Sequence, residues 1–187
     1  WDTSNVTDMR ATFLSRASFN DDISGWDTSN VTSMAAMFSG ANLFNQDISS
    51  WDTSNVLDMS GMFESASVFN HDLKTNQNQW NTQNVTNMNQ MFNYAEAFNE
   101  DISNWDTSNV LDMNNMFAFA TAFNKPLNTN QNQWKTSNVV NMKGMFSSAS
   151  AFNQNLNQWD TSKVTDMTQM FAGASLFNSL INQWNTS

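Results

Sequence analysis

Cysteine is absent from the 187-residue chain, which excludes disulfides, thiol nucleophiles and cysteine-based zinc sites without fixing a compartment. Basic residues are scarce: 7 Lys and Arg face 17 Asp and Glu, for a formal net charge of -10 and a pI near 4.1. Arg10, Arg16, Lys74, Lys125, Lys135, Lys143 and Lys163 are scattered, so no basic patch offers itself to phosphates, and nucleic acid is not an expected partner. Long apolar runs are missing too. None approaches the roughly 20 residues that cross a bilayer, and no signal-peptide pattern opens the chain, so this segment is not expected to insert into a membrane.

What the chain has is repetition. Its 8 tryptophans stand at 1, 26, 51, 80, 105, 134, 159 and 184, spaced by 25 residues or by 29. They divide residues 1–187 into one array of seven units, starting at 1, 26, 51, 80, 105, 134 and 159, with a partial unit from 184. The unit reads W-D-T-S-N-V-T-D-M-x-x-M-F-x-x-A-x-x-F-N-x-D-I-S-x. Because the chain opens on Trp1 at a unit boundary and closes inside another unit, it is expected to be a fragment of a longer array. The third and fifth units carry four extra residues just before the next tryptophan, within residues 74–79 and 128–133. Insertions at one phase of a repeat emerge as loops on one edge.

Within a unit, Met34, Met37, Phe38 and Ala41 fall at i, i+3, i+4 and i+7, the apolar spacing of one helix face. Thr32 or Ser33, Asp58 and Asp112 stand where an N-cap belongs. Residues 48–53 combine isoleucine, tryptophan and threonine without that spacing, which predicts a strand. One short strand and two helical turns cannot bury an apolar face alone, so stacking of units must complete the core. The expected architecture is an α/β solenoid: leucine-rich-repeat-like coils, each of one short parallel strand and one short helix, in units of 25–29 residues.

Several columns run through the units. Asn20, Asn45, Asn70, Asn99, Asn124, Asn153 and Asn178 hold one phase without exception, the pattern of an inward structural ladder bonding backbone groups of adjacent coils. Thr3 and its equivalents form a second unbroken column. A further one reads Thr7, Thr32, Leu57, Thr86, Leu111, Val140, Thr165, whose leucines and valine suggest that it faces inward or tolerates apolar neighbours. Unit one departs from the pattern, with Thr12 for the second methionine and Arg16 for the alanine, as a terminal, capping-like unit does.

The unit resembles the repeat of BspA-type leucine-rich-repeat surface proteins, a bacterial surface-lipoprotein family, over the whole chain. The resemblance implies a leucine-rich-repeat-like fold, extracellular or cell-surface display, and adhesion. Methionine and phenylalanine replace leucine, and both fill apolar space.

Candidate chemistry is sparse. His71 is the sole histidine, in a column otherwise holding Asp21, Gln46, Glu100, Lys125, Gln154 and Ser179; so permissive a column reads as solvated. All 13 methionines occupy two phases beside phenylalanine and read as core. The tryptophans read as a buried spine, the alternative being an exposed platform for sugars or proteins. Asp2, Asp27, Asp52, Asp106 and Asp160 share one phase and Asp22, Asp47, Asp72 and Asp101 another. Carboxylates stacked about 4.8 Å apart must be solvated or neutralised, which makes the first column a weak calcium candidate. No catalytic or cofactor-binding residue emerges, and no enzyme is expected. The expected function is a non-enzymatic surface module that binds a protein or glycan through a solenoid face. The alternative is a structural protein assembling with copies of itself, end to end, into a filament or sheath. A minor alternative is ice binding through the threonine array.

Overall fold

A computed structural model describes residues 1–74, 79–127 and 134–185. The expected α/β coil is overturned: no described residue is helical, and strand pairing is reduced to isolated parallel bridges. The insertion loops fall outside the described residues apart from Lys74 and Gln79. Where a strand was expected at 48–53, Ser49 and Ser50 form a turn, closed by the Trp51 N–H donating to the Ile48 carbonyl at 3.1 Å.

Each unit is instead a chain of tight turns laid flat on the next unit. Count phases from the tryptophan. In unit two the N–H groups of Met37, Ser39, Ala41 and Phe44 (phases 12, 14, 16 and 19) return to carbonyls three residues back, at 2.9–3.2 Å. The intervening N–H groups leave the unit: Met34, Ala36, Phe38 and Gly40 (phases 9, 11, 13 and 15) donate to Asp58, Ser60, Met62 and Glu64 of unit three, at 2.7–3.0 Å. A helix would spend all these donors four residues back in its own chain. Here alternate amides join one unit to the next, so the turns cannot wind into a helix.

That alternation needs the peptide plane to flip, and φ supplies the flip. Phases 11 and 15 are left-handed in every unit: Ala11, Ala36, Gly61, Gln90, Asn115, Gly144 and Gln169 at the first, and Ser15, Gly40, Ser65, Tyr94, Phe119, Ser148 and Gly173 at the second. Each is the third residue of a turn closed by an i+3 N–H, the signature of a type II turn. Left-handed backbone costs an L-residue about 1–2 kcal/mol. The inter-unit bonds offset that cost. The i, i+3 spacing of the apolar residues is therefore a turn period, which over two turns looks like a helix face.

The turns point phases 6, 9, 12, 13, 16, 19 and 23 into one continuous core, where the central units bury valine, methionine, phenylalanine, alanine and isoleucine or leucine completely. The phenylalanines form two stacks running the length of the chain. Phe38 and Phe44 lie face to face at 3.9 Å within their unit, and meet Phe63 and Phe69 of the next unit at 5.7 and 5.8 Å. Trp26 stacks on Trp51 at 6.4 Å with planes 4° apart, and Trp159 on Trp184 at 6.3 Å and 3°. The tryptophans of units three to seven are buried. The indole N–H groups of Trp51, Trp80, Trp105 and Trp134 reach back two units, as Trp105 Nε1 does to the Leu73 carbonyl at 2.8 Å, whereas the buried Trp159 Nε1 finds no partner among the described residues. Stacked ring pairs add about 0.5–1.5 kcal/mol beyond burial.

One polar column belongs to the core. Thr28, Thr53, Thr82, Thr107, Thr136 and Thr161 are buried, and each hydroxyl donates to the backbone carbonyl at phase 2 of the next unit, at 2.9–3.0 Å. Thr107→Val keeps the shape and removes the donor that satisfies the Lys135 carbonyl. It should cost about 1–2 kcal/mol in chemical denaturation, whereas Thr86→Val, at an exposed phase, should cost less than about 0.5 kcal/mol. Equal losses from the two would contradict the buried ladder.

Candidate functional site

With the interior filled by core, chemistry is confined to the outward columns. Three phases carry an aspartate, asparagine or serine whose side-chain oxygen is taken by its own chain two residues on, broken only by Lys135 at phase 2 and by Pro126 and Leu180 at phase 22. At phase 2, the Asp2, Asp27, Asp52, Asp106 and Asp160 Oδ1 atoms accept the N–H of Ser4, Ser29, Ser54, Ser108 and Ser162 at 2.9–3.1 Å. At phase 8, Asp58 and Asp112 do the same for Ser60 and Asn114. These are therefore turn residues, not helix N-caps. At phase 22, Asp22, Asp47, Asp72 and Asp101 accept from Ser24, Ser49, Lys74 and Ser103. Such Asx turns are what short acidic side chains do where the chain must bend. The turns account for the recurrence of aspartate at these phases.

The same bonds set the electrostatics. Side-chain hydrogen bonds from Ser4, Ser29 and Ser162 hold Asp2, Asp27 and Asp160 below the usual carboxylate range. The Ser24 and Ser49 N–H groups do so for Asp22 and Asp47, and the Arg10 guanidinium for Asp8. The phase-2 acids lie in one column, yet no group of three His, Cys, Asp or Glu able to hold a metal ion occurs among the described residues. At phase 22, Lys74 reaches Asp72 and Asp101 at 3.8 and 3.9 Å, exposed contacts of little energetic weight. His71 sits half-buried, its Nε2 3.0 Å from the Asn45 carbonyl oxygen.

The asparagines of phase 20 are a ladder on the outside of the coil, not an inward one. Each N–H, from Asn45 to Asn178, donates to the Oδ1 of the preceding unit's asparagine at 2.8–3.0 Å. All are exposed except Asn99, which is half-buried. A second asparagine ladder, which sequence reasoning missed, runs at phase 5. Nδ2 of Asn30, Asn55, Asn84, Asn109 and Asn138 donates to the phase-4 carbonyl of the unit before, at 2.7–2.8 Å. Its signal was present in the sequence, for asparagine holds that phase from Asn5 to Asn138 and only Lys163 breaks it.

Next to it stands phase 7, and of the two readings its leucines allowed, the inward orientation is corrected here. Thr7, Thr32, Leu57, Thr86, Leu111, Val140 and Thr165 are all exposed. Their backbones bond unit to unit, Leu57 N–H to the Thr32 carbonyl at 2.9 Å for example, beside the parallel bridges of phase 8. Side chains in parallel pairing alternate between faces: phase 6 goes in and phase 7 comes out. The result is a straight outward face with amide, hydroxyl and aliphatic rows in register. It has no cleft lined by a nucleophile and a base, and its resources are those of a contact surface.

A family model described as "Mycoplasma protein of unknown function, DUF285" matches residues 1–79 and 125–187. The chain belongs to that family. No curated protein and no solved structure matches it. No helix among the described residues is long and apolar enough to cross a membrane.

Because asparagine serves the same turn at phase 2 in Asn81, whose Oδ1 accepts the Gln83 N–H at 3.0 Å, Asp52→Asn should leave the Tm unchanged. Asp52→Ala should cost about 1 kcal/mol, and calcium should shift neither variant nor parent. The depressed acids give the pH sign. Their folded pKa values lie below the unfolded ones, so the stability they contribute is present above about pH 4 and lost as pH falls through the folded values. A thermal melt series from pH 7 to pH 3, with and without calcium, checks both.

Proposed function

We propose that this DUF285 member is a non-enzymatic binding module, displayed outside the cell, that engages a protein or glycan along a lateral face. The observation that carries this reading is the register of its exposed columns. Phase-5 asparagines, the phase-7 Thr/Leu/Val row and phase-20 asparagines recur in successive units with their backbones locked together. A surface so repeated offers the same weak contact many times, and contacts joined on one rigid body reinforce each other through high effective concentration. No cofactor is required for such binding. The resemblance of the unit to BspA-type surface repeats supports extracellular display and an adhesive role.

Array length is the variable to test. Joining residues 1–183 to a second copy of the chain doubles the face without changing any contact. Titrated on immobilised extracellular-matrix protein or glycan, the doubled chain should bind at least about 10-fold more tightly than the parent. Asp52→Asn and Asp106→Asn should each weaken binding by less than about threefold, since neither residue stands alone on the face. Affinity independent of length would rule out an extended face.

A further inference from the structure

Phase 15 holds a break in the repetition that core packing does not explain. Five units place serine or glycine there, namely Ser15, Gly40, Ser65, Ser148 and Gly173, while two adjacent units place Tyr94 and Phe119. All share the left-handed backbone, with φ of 57° at Tyr94 and 58° at Phe119. That region is unfavourable for bulky side chains, and strain of this kind gathers at ligand clamps. The core does not require the rings, which are 42% and 37% exposed.

They meet only across their unit boundary, stacked at 4.2 Å with planes 5° apart. Parallel rings on successive units have their normals along the stack. Their outer faces therefore look toward the equivalent positions of the flanking units, where the small side chains of Ser65 and Ser148 leave room. The pair stands as a short aromatic wall with an open face on each side.

In the two units that carry the rings and in the unit before them, the charge on this stretch has one sign, while unit six brings Lys143 at phase 10. Across residues 60–70, 89–99 and 114–124, which are phases 10–20 of units three to five, the acids are Glu64 and Glu96, and there is no lysine, arginine or histidine. Glu64 adjoins Ser65, and its carboxylate is held by Asn93 Nδ2 at 3.1 Å, Gln90 Nε2 at 3.3 Å and the Ser39 hydroxyl at 3.2 Å. Glu96 is exposed, two residues beyond Tyr94. Open ring faces attract cations through their quadrupole, and the negative charge of Glu64 and Glu96 on the same stretch of neighbouring units adds to that attraction. A guanidinium suits the place better than an ammonium because it is planar, weakly hydrated and stacks on aromatic faces.

We infer that Tyr94 and Phe119 form a docking site for an arginine side chain of a partner protein, its guanidinium stacked on an open ring face with its charge toward Glu64 and Glu96. This rests on the reading of the chain as a binding module and names the chemistry of one anchor on it.

The chain has a single tyrosine, so its ring resonances report the site directly. The full chain is titrated with a capped peptide of alternating glycine and arginine, with its lysine counterpart, and with methyl β-glucopyranoside. The arginine peptide should shift the Tyr94 ring signals saturably, and the lysine peptide should bind at least about threefold more weakly. The double variant Tyr94→Ser/Phe119→Ser installs the residue that other units carry. It should keep or raise the Tm while binding the arginine peptide about 10-fold more weakly. Should that variant lose structure, Glu96→Gln carries the test, with about threefold weaker binding expected. Undiminished binding by the variants, or equal affinity for the lysine peptide, would overturn the inference. So would saturable binding of the sugar at Tyr94 with none of the arginine peptide. The Tyr94–Phe119 pair occurs once in the chain, so the shift of its ring signals reports one site and is independent of array length. A failed length dependence with the peptide result intact would remove only the extended-face reading.

Discussion

The fold depends on a division of backbone donors. In units one to six the amides of phases 9, 11, 13 and 15 bond to the unit that follows, while those of phases 12, 14 and 16 close turns in their own. Backbone groups must be satisfied somewhere when buried. A helix does it internally and a sheet does it externally; this chain does both by turns. Two left-handed residues per unit are the geometric condition for it, and glycine holds that position at Gly40, Gly61, Gly144 and Gly173.

From that constraint the rest follows. Units held in register bring identical side chains over one another, so phenylalanine stacks on phenylalanine and tryptophan on tryptophan through the interior. Methionine fills the buried space of the same core, its unbranched thioether adapting to irregular gaps. Outside, the same register lines up polar side chains whose amides and hydroxyls bridge to the neighbouring unit. The hydroxyls of Thr28 to Thr161 and the phase-5 asparagines from Asn30 to Asn138 tie carbonyls that the turns leave free. The surface is thus as repetitive as the core, which is why an extended face is favoured over a pocket.

The unit, its length and its boundaries could be read from the sequence because Trp, Asn and Phe mark them without exception. The helix could not, since turns closed at i+3 impose nearly the same apolar spacing as a helix over so short a stretch. The glycines were the missed signal: four of the five stand at phases 11 and 15, inside the supposed helix, where glycine is unfavourable and a type II turn wants it. Phase 7 misled for a different reason. Leu57, Leu111 and Val140 look like core residues, but parallel pairing sends neighbouring side chains to opposite faces, and Val56, Val110 and Val139 take the inside. The aspartate columns suggested an ion because the eye pairs them between units. Within its own chain, the Oδ1 of each accepts an N–H two residues on, which accounts for the recurrence of aspartate there.

The donor division can be observed bond by bond. In a uniformly labelled sample, scalar coupling across hydrogen bonds connects an amide nitrogen to the carbonyl carbon that accepts it. The Phe92 N–H lies 2.9 Å from the Met116 carbonyl oxygen in the next unit, so its coupling should be to Met116, and the Phe117 amide should couple likewise to Met145. Coupling of Phe92 to Met88, the partner four residues back that a helix would use, would contradict the account.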